Sequence, residues 1–169
     1  MMRPELQVLW KEVDNCEDCK NSGNKLQHVL GGGKELNPKI MFIFINPTYR
    51  NITSRPDYSG RRFPFVGTKG IWKTFVAAKL LDEQILSETN NAEFVINVIA
   101  EKEFYFTNVV KCTKEDAILP EISIINKKIE LLLKEINIVQ PKLIVAFGIL
   151  PFKLLTGKKL KLSKYYKNR

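Results

Sequence analysis

Three short, almost uninterrupted apolar runs constrain this chain most: Lys39–Ile45 (KIMFIFI), Phe104–Val110 (FYFTNVV) and Leu143–Phe147 (LIVAF). Runs of that length, apolar on consecutive residues, suit strands buried on both faces of a sheet rather than half-exposed strands. Between and around them the apolar period changes to that of helices. Leu6, Leu9, Trp10 and Val13 predict a helix over Pro4–Val13, and Ile71, Phe75, Ala78 and Leu81 predict one over Gly70–Leu81. Further helices are expected over Asn91–Ala100, Pro120–Val139 and Ile149–Thr156. Strands alternating with helices predict an α/β fold: a three-layer sandwich with a mostly parallel central sheet flanked by helices. Gly31-Gly32-Gly33 reads as a flexible turn. No repeats and no linker are seen, so the 169 residues are expected to form one domain, with a flexible basic tail over 157–169.

Charge narrows the function. Lysine and arginine number 27 against 18 aspartates and glutamates, a formal net charge of +9. The surplus is local. From Pro141 to Arg169 there are seven lysines, one arginine and no acidic residue. A second basic stretch holds Arg50, Arg55, Arg61, Arg62, Lys69 and Lys73 against Asp57 alone. Blocks of this kind track a phosphate backbone, so the expected partner is nucleic acid. No apolar run approaches the roughly 20 residues of a membrane span. The first residues carry no apolar signal core, so the expected location is cytoplasmic.

The cysteines are Cys16, Cys19 and Cys112. An odd count argues against a disulfide framework. Cys16-x-x-Cys19 lies in a polar stretch that reads as loop, which suits a metal or cluster better than a thioredoxin-like redox pair. Three groups of residues leave the carboxyl ends of the expected strands: Asn46-Pro47, Asn108 to Cys112, and Gly148. In parallel sheets the reactive groups gather there. Thr48–Lys69, long and rich in Arg, Pro and Gly, is the sort of loop that carries function.

Taken in order, these segments resemble the uracil-DNA glycosylase superfamily, and most closely its iron–sulfur class, family 4. The resemblance rests on Cys16-x-x-Cys19, Val29-x-Gly31-x-Gly33, a strand ending at Pro47, Pro64-Phe65-Val66-Gly67-x-x-Gly70 (PFVGxxG), Asn108-Val-Val-Lys-Cys112 (NVxKC), and Gln140-Pro141-Lys142 through to Gly148. It implies a DNA-repair enzyme that flips uracil out of DNA and hydrolyses its N-glycosidic bond. Phe65 would stack on the extruded base. Asn108 would read it, since an amide can donate to uracil O4 and accept from N3–H, whereas cytosine presents the reverse pattern. Pro47, Gly67, Arg61, Arg62 and Lys111 are the further substrate-contacting candidates, the two arginines on phosphate. Cys16, Cys19 and Cys112 would hold the metal centre, with an iron–sulfur cluster as the cofactor the resemblance implies.

The sequence also departs from the iron–sulfur pattern. Ile45 stands where that class carries an acid, and Asn46-Pro47 instead resembles the GINPG stretch of the mismatch-specific class. Asn46 would then orient the hydrolytic water without deprotonating it. Lys128 stands at the expected position of the fourth cysteine, which leaves such a cluster one protein ligand short. The late H-P-S/A stretch, whose histidine stabilises the departing base anion, has no counterpart here, and the single histidine is His28, read as a surface or packing residue. Three readings follow: an active uracil-DNA glycosylase, a superfamily member with weak or lost catalysis that binds DNA, and, less favoured, a metal- or cluster-bearing scaffold that docks other repair proteins.

Overall fold

A computed structural model describes residues 3–17, 25–115 and 119–160. Its order is α1 (Pro4–Asp14), β1 (Gly32–Gly33), β2 (Ile40–Phe44), α2 (Lys69–Ala77), α3 (Ala92–Glu101), β3 (Phe104–Asn108), α4 (Ile122–Val139), β4 (Leu143–Ala146) and α5 (Ile149–Thr156). The sheet runs β1-β3-β2-β4. β2 is parallel to both β3 and β4, with Phe44 opposite Asn108 and Ile43 opposite Ala146. The α/β sandwich expected from the three apolar runs is therefore present.

The alternation of side chains along a strand divides the core in two. Met41, Ile43 and Tyr105 point to one face, where Leu6, Leu9, Trp10 and Val13 of α1 and Ile125, Leu132 and Val139 of α4 cover them. Phe42, Phe44, Phe104 and Phe106 point to the other, under Trp72 and Phe75 of α2 and Val95, Ile96 and Ile99 of α3. The apolar runs are continuous because both faces are covered. β4 is the exception: Leu143 and Ile144 on this edge strand stay 54% and 36% exposed.

Two expectations need correction. Gly32 and Gly33 do not form a free turn; they pair antiparallel with Phe106 and Tyr105 at the sheet edge. Glycine is required at Gly33, whose φ is +111°, because a Cβ there would collide with the Phe104 carbonyl. Strand formation was not legible because glycine has neither β propensity nor a side-chain period. The second helix also stops at Ala77 instead of Leu81. Lys79 adopts φ +57°, reversing the chain so that Leu80 N–H donates to the Phe75 carbonyl at 3.0 Å. The Asn91 side chain caps α3 by accepting from Phe94 N–H, the usual service of an N-cap asparagine.

Candidate active site

At the carboxyl ends of β2 and β3 lies a cleft of about 350 Å³, with Asn46, Pro47, Arg50, Pro64, Phe65 and Asn108 among its lining. That volume is in the range of small-molecule sites. Each wall is fixed by local chemistry. Ladder-like bonds continue past the strands: Val109 N–H donates to the Phe44 carbonyl at 2.7 Å and Val110 N–H to the Ile45 carbonyl at 2.9 Å. These hold Asn46 and Asn108 side by side. Beyond them, Lys114 N–H donates to the Pro47 carbonyl at 3.2 Å, and Tyr49 N–H to the Lys114 carbonyl at 3.0 Å.

Phe65 sits in the left-handed region with φ +62°. A non-glycine residue there stores strain and needs its surroundings to impose it. Here the Phe65 carbonyl accepts from Thr68 Oγ1 at 2.6 Å, Thr68 N–H at 3.0 Å and Trp72 Nε1 at 3.2 Å. Its ring meets Phe44 edge-on at 4.6 Å and Trp72 at 6.1 Å. Half-buried, the ring is held as a rigid aromatic wall of the cleft.

Asn108 is the unusual member. It is 1% exposed, yet neither its Nδ2 nor its Oδ1 has a hydrogen-bond partner among the described residues. Leaving buried polar groups unpaired costs about 1–3 kcal/mol each. A donor and an acceptor left bare at a cleft wall form the complementary half of a ligand edge. Asn46 differs, since its Nδ2 donates to the Pro47 carbonyl at 3.0 Å. That bond fixes the amide plane and leaves Oδ1 as an acceptor at the cleft.

The other predicted substrate residues lie elsewhere. Arg61 pairs with Glu35 at 2.6 Å, and Arg62 forks onto the two Asp14 oxygens at 2.8 and 2.7 Å. Gly67 donates its N–H to the Thr89 carbonyl at 2.7 Å and adopts φ +86°, serving the turn. Lys111 points into the core. Its ammonium donates to Glu135 Oε2 at 2.5 Å, Thr107 Oγ1 at 2.6 Å and the Asn108 carbonyl at 2.5 Å. Burial pulls the Lys111 pKa down, with Glu135 opposing that effect. Tyr105 also donates to Glu135, at 2.8 Å. The network braces the end of β3 from behind, so Lys111 touches the backbone of Asn108 rather than the cleft.

In the sequence Arg50 stands out only as part of a basic stretch. In the fold it is the one charged residue lining the cleft among the described residues. Its place in a charged run hid it, because charge runs usually mark solvated faces.

The cysteine group lies under the opposite face. Cys16 follows α1, and the Sγ of Cys16, the Sγ of Cys112 and a ring nitrogen of His28 lie within 4.8 Å of one another. Cys19 falls outside the described residues. Cys112 is disulfide-bonded and Cys16 keeps its thiol, so an odd cysteine count did not exclude a disulfide here. Lys128 Nζ donates to Cys16 Sγ at 2.9 Å. A cluster held by four cysteines does not fit these residues, because the chain has only three and an ammonium stands against one of them. His28 is not a surface residue: it is 9% exposed and its Nδ1 faces Asp14 Oδ1 at 3.6 Å.

A mostly parallel α/β sheet with a cleft at the carboxyl ends of its strands has its candidate site where ligands usually bind in such sheets. The family model described as the uracil DNA glycosylase superfamily matches residues 30–168. The chain belongs to that superfamily, and with it to proteins of DNA glycosylase type, hydrolases of N-glycosyl bonds in DNA. No helix among the described residues is long and apolar enough to cross a membrane.

Proposed function

We propose that this protein excises uracil from DNA by flipping the nucleotide into the cleft bounded by Phe65, Asn46 and Asn108. The observation that carries this reading is the bare amide of Asn108. Uracil offers an acceptor at O4 and a donor at N3–H, so one amide satisfies both and is itself satisfied. Phe65, already locked at φ +62°, offers a ring for stacking without further ordering. Extrusion costs a few kcal/mol of unstacking, which such contacts and phosphate binding must offset.

Bond cleavage needs little nucleophilic push when the sugar develops oxocarbenium character. Asn46 Oδ1 then has only to accept a hydrogen bond from water and hold it near C1′. The leaving base carries negative charge, which calls for a cation or donors at its oxygens. Among the described residues lining the cleft, Arg50 supplies that charge. In this reading phosphate contacts fall to the basic tail, since Arg61 and Arg62 are already occupied by carboxylates.

A second reading, DNA binding with weak or lost catalysis, is favoured by two observations. Ile45 replaces an acid, and His28 sits in the cysteine group rather than at the cleft. The two readings separate in one assay. An oligonucleotide with a single uracil is incubated with the protein, the released base is identified by chromatography, and alkali reveals the abasic site. The glycosylase reading expects free uracil, no release from matched cytosine or thymine oligonucleotides, and loss of release in Asn108→Ala with DNA binding retained. DNA binding without any base release selects the second reading.

A further inference from the structure

We propose that Tyr49 enters the duplex at the place the flipped nucleotide leaves, so that the cleft takes its base from paired DNA. The inference rests on the excision reading above. A nucleotide swung out of a duplex leaves a gap in the stack, and the stack recloses unless something occupies that space. Proteins that unstack DNA do so with an apolar or aromatic side chain set between bases.

Tyr49 has the exposure and the position for this. It is 50% exposed. Among the large exposed apolar side chains it alone has cleft-lining residues on both sides in the chain, Thr48 and Arg50. Among the described residues its ring stacks on no other aromatic and its hydroxyl makes no hydrogen bond. A tyrosine at the mouth of a base-binding cleft offers an apolar ring face to neighbouring bases and a polar tip to water.

The mount is stiff on both sides. Thr48–Asn51 is a turn closed by Asn51 N–H, which donates to the Thr48 carbonyl at 3.0 Å. Its first arm is tied to the segment that follows β3: Lys114 N–H donates to the Pro47 carbonyl at 3.2 Å, and Tyr49 N–H to the Lys114 carbonyl at 3.0 Å. Its second arm is anchored by Asn51, 4% exposed, whose Nδ2 donates to the Phe63 carbonyl at 2.7 Å and whose Oδ1 accepts from Thr53 N–H at 3.0 Å. A side chain that holds bases apart must resist their restacking, and a backbone already fixed here loses little freedom on binding. Charge at the mouth suits a polyanion. Arg50 lines the cleft, and exposed Lys69 and Lys73 flank Gly70 and Ile71, which line it from α2.

The test compares the full chain with Tyr49→Ala on one uracil oligonucleotide, single-stranded and annealed with guanine opposite the uracil. Excision from the duplex should fall about 10–100-fold in Tyr49→Ala, the range of one base–aromatic stack. Single-stranded excision, which opens no gap, should keep most of its rate. Tyr49→Phe should retain the duplex rate. A pyrene nucleotide opposite the uracil fills the gap itself and should restore duplex excision to Tyr49→Ala. A second measurement needs no excision: fluorescence anisotropy with a duplex carrying one tetrahydrofuran abasic analogue. The parent should bind it about 10-fold or more tightly than Tyr49→Ala does, while the two bind intact duplex alike. Equal losses on single-stranded and duplex substrate, no loss on the duplex, or equal binding of the abasic duplex would overturn the proposal. A parent that releases no uracil from either form, yet binds the abasic duplex more tightly than Tyr49→Ala, overturns the excision reading and keeps the gap-filling role.

Discussion

Asn108 combines near-complete burial with an amide that bonds to none of the described residues. Such a residue is kept at the expense of stability. Asn108→Ala should therefore leave the melting temperature unchanged or raise it, because an unpaired amide worth about 1–3 kcal/mol of desolvation is removed beside an open cleft. The same change should lower uracil release by about 10²–10³-fold, the usual effect of deleting one well-placed polar group. Differential scanning calorimetry and single-turnover excision check the two halves. Arg50→Ala should also slow release, with partial recovery in Arg50→Lys, since charge matters there more than geometry. The asparagine and the phenylalanine were legible as candidates from their motifs. What the sequence did not show was the physical state of each: the unpaired amide, the left-handed Phe65 backbone, and the carboxylates that occupy Arg61 and Arg62. Those depend on residues such as Glu35 and Asp14, at separations no local pattern reports.

Among the elements, two ionic ties hold the strand ends. Lys111 and Glu135 are 3% and 0% exposed in their side chains and join β3 to α4. Removing one partner strands the other's charge in the core. Lys111→Met should cost roughly 3–5 kcal/mol, and the double change Lys111→Met with Glu135→Leu should recover much of it. Urea unfolding of the parent and both variants measures this. At the opposite strand ends, Glu103 pairs with Lys34 and, at 2.6 Å, with Lys39. Hydrogen bonds from those lysines pull its pKa down from 4.5 to about 2. Its folded value lies below its unfolded one, so the pairs add stability above about pH 4.5, and that contribution fades as pH falls towards 2. Melting temperatures of the parent and Glu103→Gln should therefore differ near neutral pH and converge on acidification. At this scale the apolar runs and helical periods foretold nearly every element. The Gly32–Gly33 strand and the end of α2 were missed because each is set by a backbone conformation, glycine at φ +111° and Lys79 at φ +57°, rather than by side-chain period.

For the whole molecule, the formal charge of +9 and its crowding into the last residues predict salt-sensitive DNA binding. Neutralising Lys158, Lys159, Lys161, Lys164 and Lys167 should reduce the slope of log affinity against log salt by about 0.7–0.9 for each phosphate that the tail no longer neutralises. Fluorescence anisotropy over a salt series measures the slope, and an unchanged slope would assign phosphate binding to other cations. The fold places the cleft and the cysteine group on opposite sides of one strand end, with Lys111 between them. In the proposed reading that arrangement separates chemistry from bracing: Asn46, Phe65, Asn108 and Arg50 line the cleft, while the Lys111–Glu135 pair holds the strand end that carries Asn108.

Single-turnover excision from an oligonucleotide with uracil opposite guanine, comparing the parent with Asn46→Ala and Phe65→Ala, bears most directly on the proposed chemistry. The parent should give alkali-sensitive cleavage, and each variant should be slower by about 10²-fold or more, through water placement in one and base stacking in the other. No cleavage by the parent at large enzyme excess, or a parental rate in Asn46→Ala, would contradict the proposed roles.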